Sequence, residues 1–261
     1  MGVEFWALLV LAGVGTGVCS GLLGIGGGIL LVPVLLYLPP LVAGVQLDMA
    51  EIAGLTMAQG FMASCAGILG HRKHRRVCWR LVRHMGPSMV VGSAAGAMLS
   101  VRVPGRVLLA MFAALALAAA LLMCLPRAEM DAETAADTVR YPVPLAIGVP
   151  GLLGGLLGMV GQGGAFILIP FMLYGLRLPT RVALGSSLGI LLFSTTAGLI
   201  GKLVTAQVPL GAAAALLSGS LVGGAAGGWC SGRVPARALR YSLAALIGGT
   251  AIRIWAELLL G

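Results

Sequence analysis

Residues 21–37 read GLLGIGGGILLVPVLLY, an apolar stretch interrupted by a cluster of glycines and, five residues after the cluster, by a proline. Glycine is a poor residue for a helix interior, and proline removes a backbone hydrogen-bond donor. The segment therefore predicts a helix that breaks near Gly24 and restarts toward Pro33. We interpret both residues as structural positions of this break.

The same pattern occurs again after the midpoint of the chain. Residues 158–174 read GMVGQGGAFILIPFMLY, and 8 of 17 positions match when Pro33 is placed on Pro170. Residues 91–108 and 222–239 share 11 of 18 positions, including a polar Arg-Val-Pro-x-Arg motif. Low complexity is the alternative, but it does not account for a polar match at fixed positions. The sequence therefore favours a duplication, which is a recurrent architecture of membrane transporters.

The composition sets the class of protein. Of 261 residues, 59% are hydrophobic and 10% are charged, whereas about a quarter of the residues of soluble domains are charged. The 41 glycines suit helices that pack closely in lipid. The basic residues lie between apolar stretches, so no nucleic-acid-binding face is predicted. The composition excludes a soluble globule and predicts the lipid bilayer as a partner.

The predicted fold is an all-α polytopic membrane protein with about eight to ten transmembrane segments, since one crossing takes roughly 20 apolar residues. Residues 1–126 form the first transmembrane repeat, 127–142 a polar inter-repeat linker and 143–261 the second transmembrane repeat. Each half holds five apolar stretches, which run over residues 3–23, 29–47, 50–70, 84–101 and 107–126, then 141–157, 165–178, 182–201, 208–231 and 238–260. The opening Gly-rich pair of each half is predicted to contain broken or re-entrant helices.

The distribution of Lys and Arg predicts the orientation. If the opening pair of each half crosses or turns back together, the second half is inverted and 13 of 16 loop Lys and Arg residues share one side. Parallel halves give nine against seven. The positive-inside rule favours the inverted repeat in the cell inner membrane, with loop 71–84 and linker 127–142 cytoplasmic and both termini outside. The opposite side then carries Arg102, Arg106 and Lys202.

The two glycine clusters are the candidate binding site. A helix that restarts after a break presents unpaired N–H groups and the positive end of its dipole, and glycines let a small anion approach. Two such breaks converge near the membrane centre in an inverted repeat. Tight helix packing is the alternative, and it is favoured for isolated Gly-x-x-x-Gly pairs. We predict substrate contacts at Gly26, Gly27, Gly28, Gly163 and Gly164, with Gly24, Pro33, Gly161 and Pro170 as structural helix breaks.

Polar side chains inside the apolar stretches gather on one repeated segment. A shift of 131 residues aligns Thr56 with Ser187, next to Ser186. Hydroxyls can donate to an anion, although in helices they also bond back to the preceding turn. Gln162 replaces Ile25 of the first copy at the mouth of the second break, and a buried amide needs partners. We predict substrate contacts for Thr56, Ser186, Ser187 and Gln162.

The sequence offers no catalytic set. It contains no nucleophilic triad, paired carboxylates or metal-ligand spacing, so no enzyme activity, cofactor or metal is predicted. His71 and His74 lie in the basic loop, which is typical of a solvated face. The five cysteines are interpreted as small buried hydrophobic residues. Cys65 leaves one alternative open, a membrane-embedded thiol-dependent sulfur-relay protein.

A family resemblance rests on three motifs, GLLGIGGGILLVPVLL, its echo GMVGQGGAFILIPFML and the following RVALGSS. Together they resemble the TauE/SafE sulfite exporter family of bacterial membrane transporters, over essentially the whole chain. The resemblance implies an inner-membrane permease built from a duplicated unit, with sulfite, sulfoacetate or related sulfonates as substrates. It carries over both glycine clusters with their prolines, and Gly185, Ser186 and Ser187. The matching segment Ala53–Thr56 is poorer in hydroxyls, so the two halves are not expected to contribute equally.

The leading interpretation is a secondary permease that moves a small sulfite-like anion by alternating access. No carboxylate is predicted at the membrane centre, so a co-transported proton is expected to travel on the substrate as a hydrogen-oxyanion. The open alternatives are the sulfur-relay protein and a channel-like pore for small anions. The substrate, the direction of flux, the coupling ion and the oligomeric state are left open by the sequence.

Overall fold

A computed structural model describes residues 2–23, 28–71, 78–124, 141–162, 164–178, 180–230 and 236–260. Within these ranges the chain forms ten α-helices and no strand. The helices are α1 (Val3–Leu23), α2 (Gly28–Ala43), α3 (Met49–His71), α4 (Trp79–Leu99), α5 (Gly105–Cys124), α6 (Val143–Val160), α7 (Ala165–Pro170), α8 (Thr180–Val204), α9 (Leu210–Cys230) and α10 (Ala236–Leu260). A short 3-10 turn follows α4, and a π-helical turn follows α7.

The helices correspond in order to the ten predicted apolar stretches. The largest shift at a helix start is at α4, which begins at Trp79, ahead of the predicted residue 84. Arg80 and Arg83 are exposed on its first turns. The sequence predicted that these charges would lie in the loop before the helix, and the structure places them on the outer face of the helix. Of the segments predicted to be cytoplasmic, residues 72–77 and 125–140 lie outside the described part of the chain.

Several helices are suited to a bilayer by length and composition. Four candidate spans run over Val3–Leu22, Gly105–Leu122, Val143–Val160 and Leu210–Gly227. Three shorter apolar helical segments cover Gly28–Ala43, Phe166–Gly175 and Gly189–Val204. The all-helical membrane fold is thus supported within the described residues, and the count of eight to ten crossings stays a prediction.

Close helix contacts are made through glycine. An added Cβ at Gly92 or Gly96 of α4 would collide with backbone carbonyls of Gly151 and Gly155 on α6. On the other flank, Gly13 of α1 packs against backbone atoms of α9. Such approach lets two helix backbones gain dispersion contacts that larger residues would prevent. Tight packing is therefore what the structure assigns to these isolated glycine pairs.

The major contacts join the two halves in a reciprocal pattern. Helix α1 packs mainly on α9, and α4 packs extensively on α6. In the predicted repeat α1 corresponds to α6 and α4 to α9, so these two contacts join equivalent pairs of helices. Helix α5 packs on its counterpart α10, and α3 on its counterpart α8. The halves are therefore interleaved, and neither forms a separate bundle.

The centre of the molecule is occupied by α3. Every residue from 52 to 60 is buried, which is typical of a helix surrounded by protein on all sides. At the periphery, Arg253 and Glu257 of α10 form an exposed ion pair with a 3.1 Å nitrogen–oxygen distance. This pair is the surface contact that its four-residue spacing indicates. Because residues 52–60 are buried, the polar residues in this part of α3 face other helices of the protein.

Candidate functional site

The second helix break lies between α6 and α7. Helix α6 ends at Val160, and Gly161 follows in the left-handed region with φ 76°. The N–H groups of Gly161 and Gln162 both donate to the carbonyl of Leu157, which closes the helix end. Gly164 is also left-handed, with φ 85°, and α7 starts directly after it. Both conformations favour glycine because other residues are strained at positive φ, so glycine suits the chain between the end of α6 at Val160 and the start of α7 at Ala165.

Pro170 extends the irregularity beyond the break. It ends the short helix α7, and Phe171–Gly175 continue as a π-helical turn. Proline lacks the N–H that would continue the regular hydrogen-bond ladder. Pro33 has a different setting, since it lies inside the longer helix α2. The two prolines align in sequence, but Pro170 ends its helix while α2 continues through Pro33.

Around the first glycine cluster, α1 ends at Leu23 and α2 begins at Gly28. Gly24, Gly26 and Gly27 lie outside the described residues, as does Gly163 of the second cluster. Gly28 is buried and is the first residue of α2. The predicted substrate contacts at Gly26, Gly27 and Gly163 and the predicted helix break at Gly24 stay predictions.

Hydrogen bonds connect the chain after α6 to helices α2 and α3. The side-chain Nε2 of Gln162 donates to the carbonyl of Gly28 at 3.2 Å. A Cβ added at Gly28 would lie 3.0 Å from Oε1 of Gln162, so the amide covers the start of α2. The Oγ1 of Thr56 donates to the carbonyl of Gly161 at 2.8 Å. Helices α2 and α3 of the first half thus meet the interruption of the second half.

Gly161 fixes this meeting point through its backbone. An added Cβ would collide with backbone atoms of Ala53 on α3. Thr56, one turn further along α3, also lies 3.0 Å from the carbonyls of Ile52 and Ala53. The hydroxyl therefore lies within a group of carbonyl acceptors at which α3 and the break touch.

Gln162 has an unused acceptor. Its side chain is buried, with 2% exposure, and Oε1 has no hydrogen-bond partner among the described residues. The bond from Nε2 to Gly28 orients the amide, because the Gly28 carbonyl can only accept. A buried acceptor without a partner is costly. The site can therefore accept a proton-bearing group, such as the O–H of a protonated oxyanion.

The serines on α8 lie next to the start of α4. Ser186 is fully buried, and its Oγ accepts the N–H of Cys78 at 2.9 Å. Cys78 is the residue that precedes α4. Ser187 is also fully buried, and it is engaged in an interaction of its own. The structure thus joins Thr56, Gly161, Gln162 and Gly28 directly, and it places the Ser186 hydroxyl against the chain at Cys78.

Sequence reasoning missed Lys202. The charge pattern placed it in a loop, but it lies in the last turn of α8 and is fully buried. Its Nζ lies 2.7 Å from Ser100 Oγ and 2.7 Å from Gln207 Oε1. It is also 3.1 Å from the carbonyl of Met159, just before the second break. The apolar neighbours of Lys202 on both sides were the available signal.

The loop after α8 explains this burial. Ala206 has a positive φ of 53°, and the N–H of Gln207 donates back to the carbonyl of Lys202 at 2.9 Å. The backbone carbonyl of Gln207 packs on Gly54 of α3, where a Cβ would not fit. The turn therefore folds over the end of α8 instead of extending into solvent.

Metal binding and histidine or thiol chemistry have little support in the described part of the chain. No group of three His, Cys, Asp or Glu residues that could hold a metal occurs there. His84 Nδ1 pairs with the hydroxyl of Tyr141 at 2.9 Å. Cys65 is partly buried and carries a free thiol. His74 lies outside the described residues.

A bundle of apolar helices, with a buried polar site at a helix break between interleaved halves, defines a membrane transporter. Comparison with known families and proteins gives the same class. The model of the sulfite exporter TauE/SafE family matches residues 9–254. The chain therefore belongs to the TauE/SafE family.

Curated relatives carry transporter names. A "Probable membrane transporter protein" of Xylella fastidiosa strain 9a5c is 32% identical over 204 residues, covering 77% of this chain and 75% of the relative. A protein of the same name from Haemophilus influenzae is 29% identical over 185 residues, covering 70% and 68%. A relative from Methanocaldococcus jannaschii is 26% identical over 197 residues, covering 75% and 72%. No solved structure matches the chain.

Proposed function

We propose that the protein is a secondary permease for a small sulfur-containing oxyanion, sulfite or a related organosulfonate. One observation carries the proposal, namely that Gln162, between α6 and α7, donates to the carbonyl of Gly28 at the start of α2, beside the bond from Thr56 of α3 to Gly161. The family name supports sulfite as the first substrate to test. The substrate passes between the breaks by alternating access.

The binding chemistry combines backbone and side-chain groups. The first N–H groups of α2 have no partner within their own helix, and they lie at its positive end. Ser186 and Ser187 supply hydroxyl donors, and Thr56, whose proton goes to the Gly161 carbonyl, offers Oγ1 as an acceptor. The glycines proposed to contact the substrate, Gly26, Gly27, Gly28, Gly163 and Gly164, carry no side chain that would exclude a small anion. Each oxyanion oxygen can accept such N–H and O–H donors.

The unpartnered oxygen of Gln162 favours a protonated substrate. Oε1 accepts hydrogen bonds and cannot donate them, so it matches the O–H of hydrogen sulfite and repels a fully deprotonated dianion. A proton carried by the substrate needs no carboxylate in the membrane centre. Proton co-transport in this proposal is movement of the hydrogen-oxyanion itself.

The reciprocal packing supports an inverted repeat. The α1–α9 and α4–α6 contacts are the two copies that a two-fold exchange of the halves generates, and inverted repeats rocking about a central site are a common transporter mechanism. In this proposal the protein lies in the inner membrane, with loop 71–84 and linker 127–142 in the cytoplasm.

Sulfite flux into proteoliposomes tests the proposal. Gln162→Ala removes the bridge to Gly28, and we expect at least a tenfold loss of kcat/KM. Gly28→Val places a branched side chain against the Gln162 amide and should have a similar effect. Gly148→Ala on α6 is the matched control, because an added Cβ there meets open space. Unchanged flux in both site variants would refute this site.

Counterflow distinguishes a carrier from a pore. Liposomes preloaded with unlabelled sulfite should accelerate uptake of labelled sulfite, because a carrier returns faster when it is loaded. Flux that neither saturates nor shows counterflow would indicate a channel-like pore.

A variant lacking all five cysteines should keep its flux, whereas loss of flux on removing Cys65 would favour the thiol-dependent relay.

A further inference from the structure

Lys202 is a buried basic residue that has no part in the binding site described above. It is fully buried at the end of α8. Charged side chains inside membrane proteins are rare and are associated with substrate or ion pathways. The ion pair found among the described residues joins Arg253 to Glu257, and Lys202 pairs with none of the described carboxylates.

Its surroundings fit an ammonium group. Three acceptors converge on Nζ, namely Ser100 Oγ, Gln207 Oε1 and the carbonyl of Met159. An ammonium has three N–H donors and no lone pair, so each acceptor receives one proton. A neutral amine would turn a lone pair toward one of these oxygens. The geometry of the cluster therefore matches the three donors of an ammonium.

The acceptors are themselves held in place. Ser100 donates its own proton to the carbonyl of Ala97 at 2.6 Å, so its lone pairs remain for Lys202. The amide nitrogen of Gln207 donates to the same carbonyl and to Thr205 Oγ1. This leaves Oε1 of Gln207 directed at the ammonium. The cage is uncharged apart from Lys202, so the positive charge is not cancelled locally.

The cage adjoins the candidate binding site at two places. Met159 lies three residues before Gln162, so the two are at most about 10 Å apart along the chain. On α3, Gly54 packs against the Gln207 carbonyl, while the neighbouring Ala53 packs against Gly161. Lys202 therefore lies behind the break, on the side where α6 ends.

Helix α6 directs its negative dipole end at the break. The last carbonyls of a helix carry about half a negative charge, which opposes binding of an anion nearby. Lys202 donates to one of these carbonyls and adds a full positive charge. The sum changes the sign of the local field from repulsive to attractive for an anion.

We propose that Lys202 is the residue that makes this transporter selective for anions, acting through the end of α6 without touching the substrate. This inference rests on the proposed permease function and names the source of its charge preference. For a charge and an anion about 10 Å apart at an effective dielectric constant of about 20, Coulomb's law gives roughly a tenfold change in affinity, and we take this as the scale of effect expected for Lys202. Lys202 is a positioning charge, and Gln162 and Thr56 remain the contact residues.

Two substitutions remove the net charge in different ways. Lys202→Gln removes the ammonium but keeps a donor for the Met159 carbonyl. Gln207→Glu keeps the lysine and the shape of its cage, and it places a carboxylate against the ammonium. We expect both to raise the KM for sulfite about tenfold, with kcat within about twofold of wild type. Arg106→Gln, which removes one exposed charge at the start of α5, is the matched control and should leave KM unchanged.

The outcomes separate the charge from a structural role. If Lys202 only holds helices together, Lys202→Gln should lower Tm, and Gln207→Glu should leave KM at the wild-type value. Gln207→Glu decides the question even if Lys202→Gln does not fold. If the wild type shows saturable flux and Gln207→Glu keeps the wild-type KM, the role of Lys202 is overturned and the proposed permease function stands. Wild-type protein that moves neither sulfite nor sulfoacetate overturns the proposed function, and the role of Lys202 with it.

Discussion

Glycines are used in two different ways in two regions of this protein. At the α4–α6 interface, Gly92 and Gly96 have ordinary helical backbones, and glycine is needed there because the neighbouring helix approaches so closely. At the α6–α7 break, Gly161 and Gly164 adopt positive φ, so glycine is needed for the backbone itself. The first region determines how helices pack, and the second determines where a helix stops. Substitutions that act on only one of these requirements can separate stability from binding.

The largest effect is expected for Gly161→Ala. This position combines a φ of 76° with a collision between the added Cβ and the backbone of Ala53. Strained φ alone costs about 1–3 kcal/mol, and neither backbone can move without separating α3 from the break. We expect loss of monodisperse protein after detergent extraction, measured by size-exclusion yield. Gly15→Ala, where the added Cβ meets open space, should purify normally, and a normal yield of Gly161→Ala would contradict the role given to this backbone.

A smaller effect is expected at the helix interface for Gly92→Ala. Its added Cβ would meet the Gly151 carbonyl, so α4 and α6 must separate slightly. We expect a lower Tm with the KM for sulfite little changed, measured by thermal unfolding and flux. Gly155→Ala is the control on the facing helix, because its nearest atom would be 3.9 Å away. Equal Tm values for the two variants would show that close approach is not limiting here.

The smallest effect on stability is expected for Thr56→Val. Valine keeps the shape of threonine but removes the hydrogen bond to Gly161, which contributes about 1 kcal/mol. We expect a Tm change of a few degrees at most and a several-fold higher KM for sulfite. Thr196→Val is the control, since that hydroxyl bonds back to Leu192 within its own helix. A KM that rises equally in both variants would remove Thr56 from the site.

Much of the fold could be predicted from the sequence, because apolar length and glycine or proline interruptions act locally. The bounds of α1 and the break after Val160 follow from such local signals. The approach of Gln162 to Gly28 could be expected only after the repeat was recognised, because the repeat indicated that the two interruptions correspond. The sequence could not place the Ser186 hydroxyl against Cys78, since that contact depends on how α8 packs against the start of α4.

Lys202 marks the limit of a charge-counting argument. Positive residues near helix ends are normally placed in aqueous loops, and Lys202 lies one turn from the end of α8. Its burial depends on a turn at Ala206 and on the fit of the Gln207 carbonyl against Gly54. These are tertiary relations between distant parts of the chain. A sequence pattern that depends only on neighbouring residues cannot predict such relations.

The interleaving of the halves has a consequence for biogenesis. Because α1 packs mainly on α9, α1 acquires its main neighbour only when the chain has been made as far as α9. Until then its glycine-lined face contacts lipid or an interim partner. Contacts between segments so far apart in the chain form late, so we expect the packing of α1 to be completed only after α9 has been inserted.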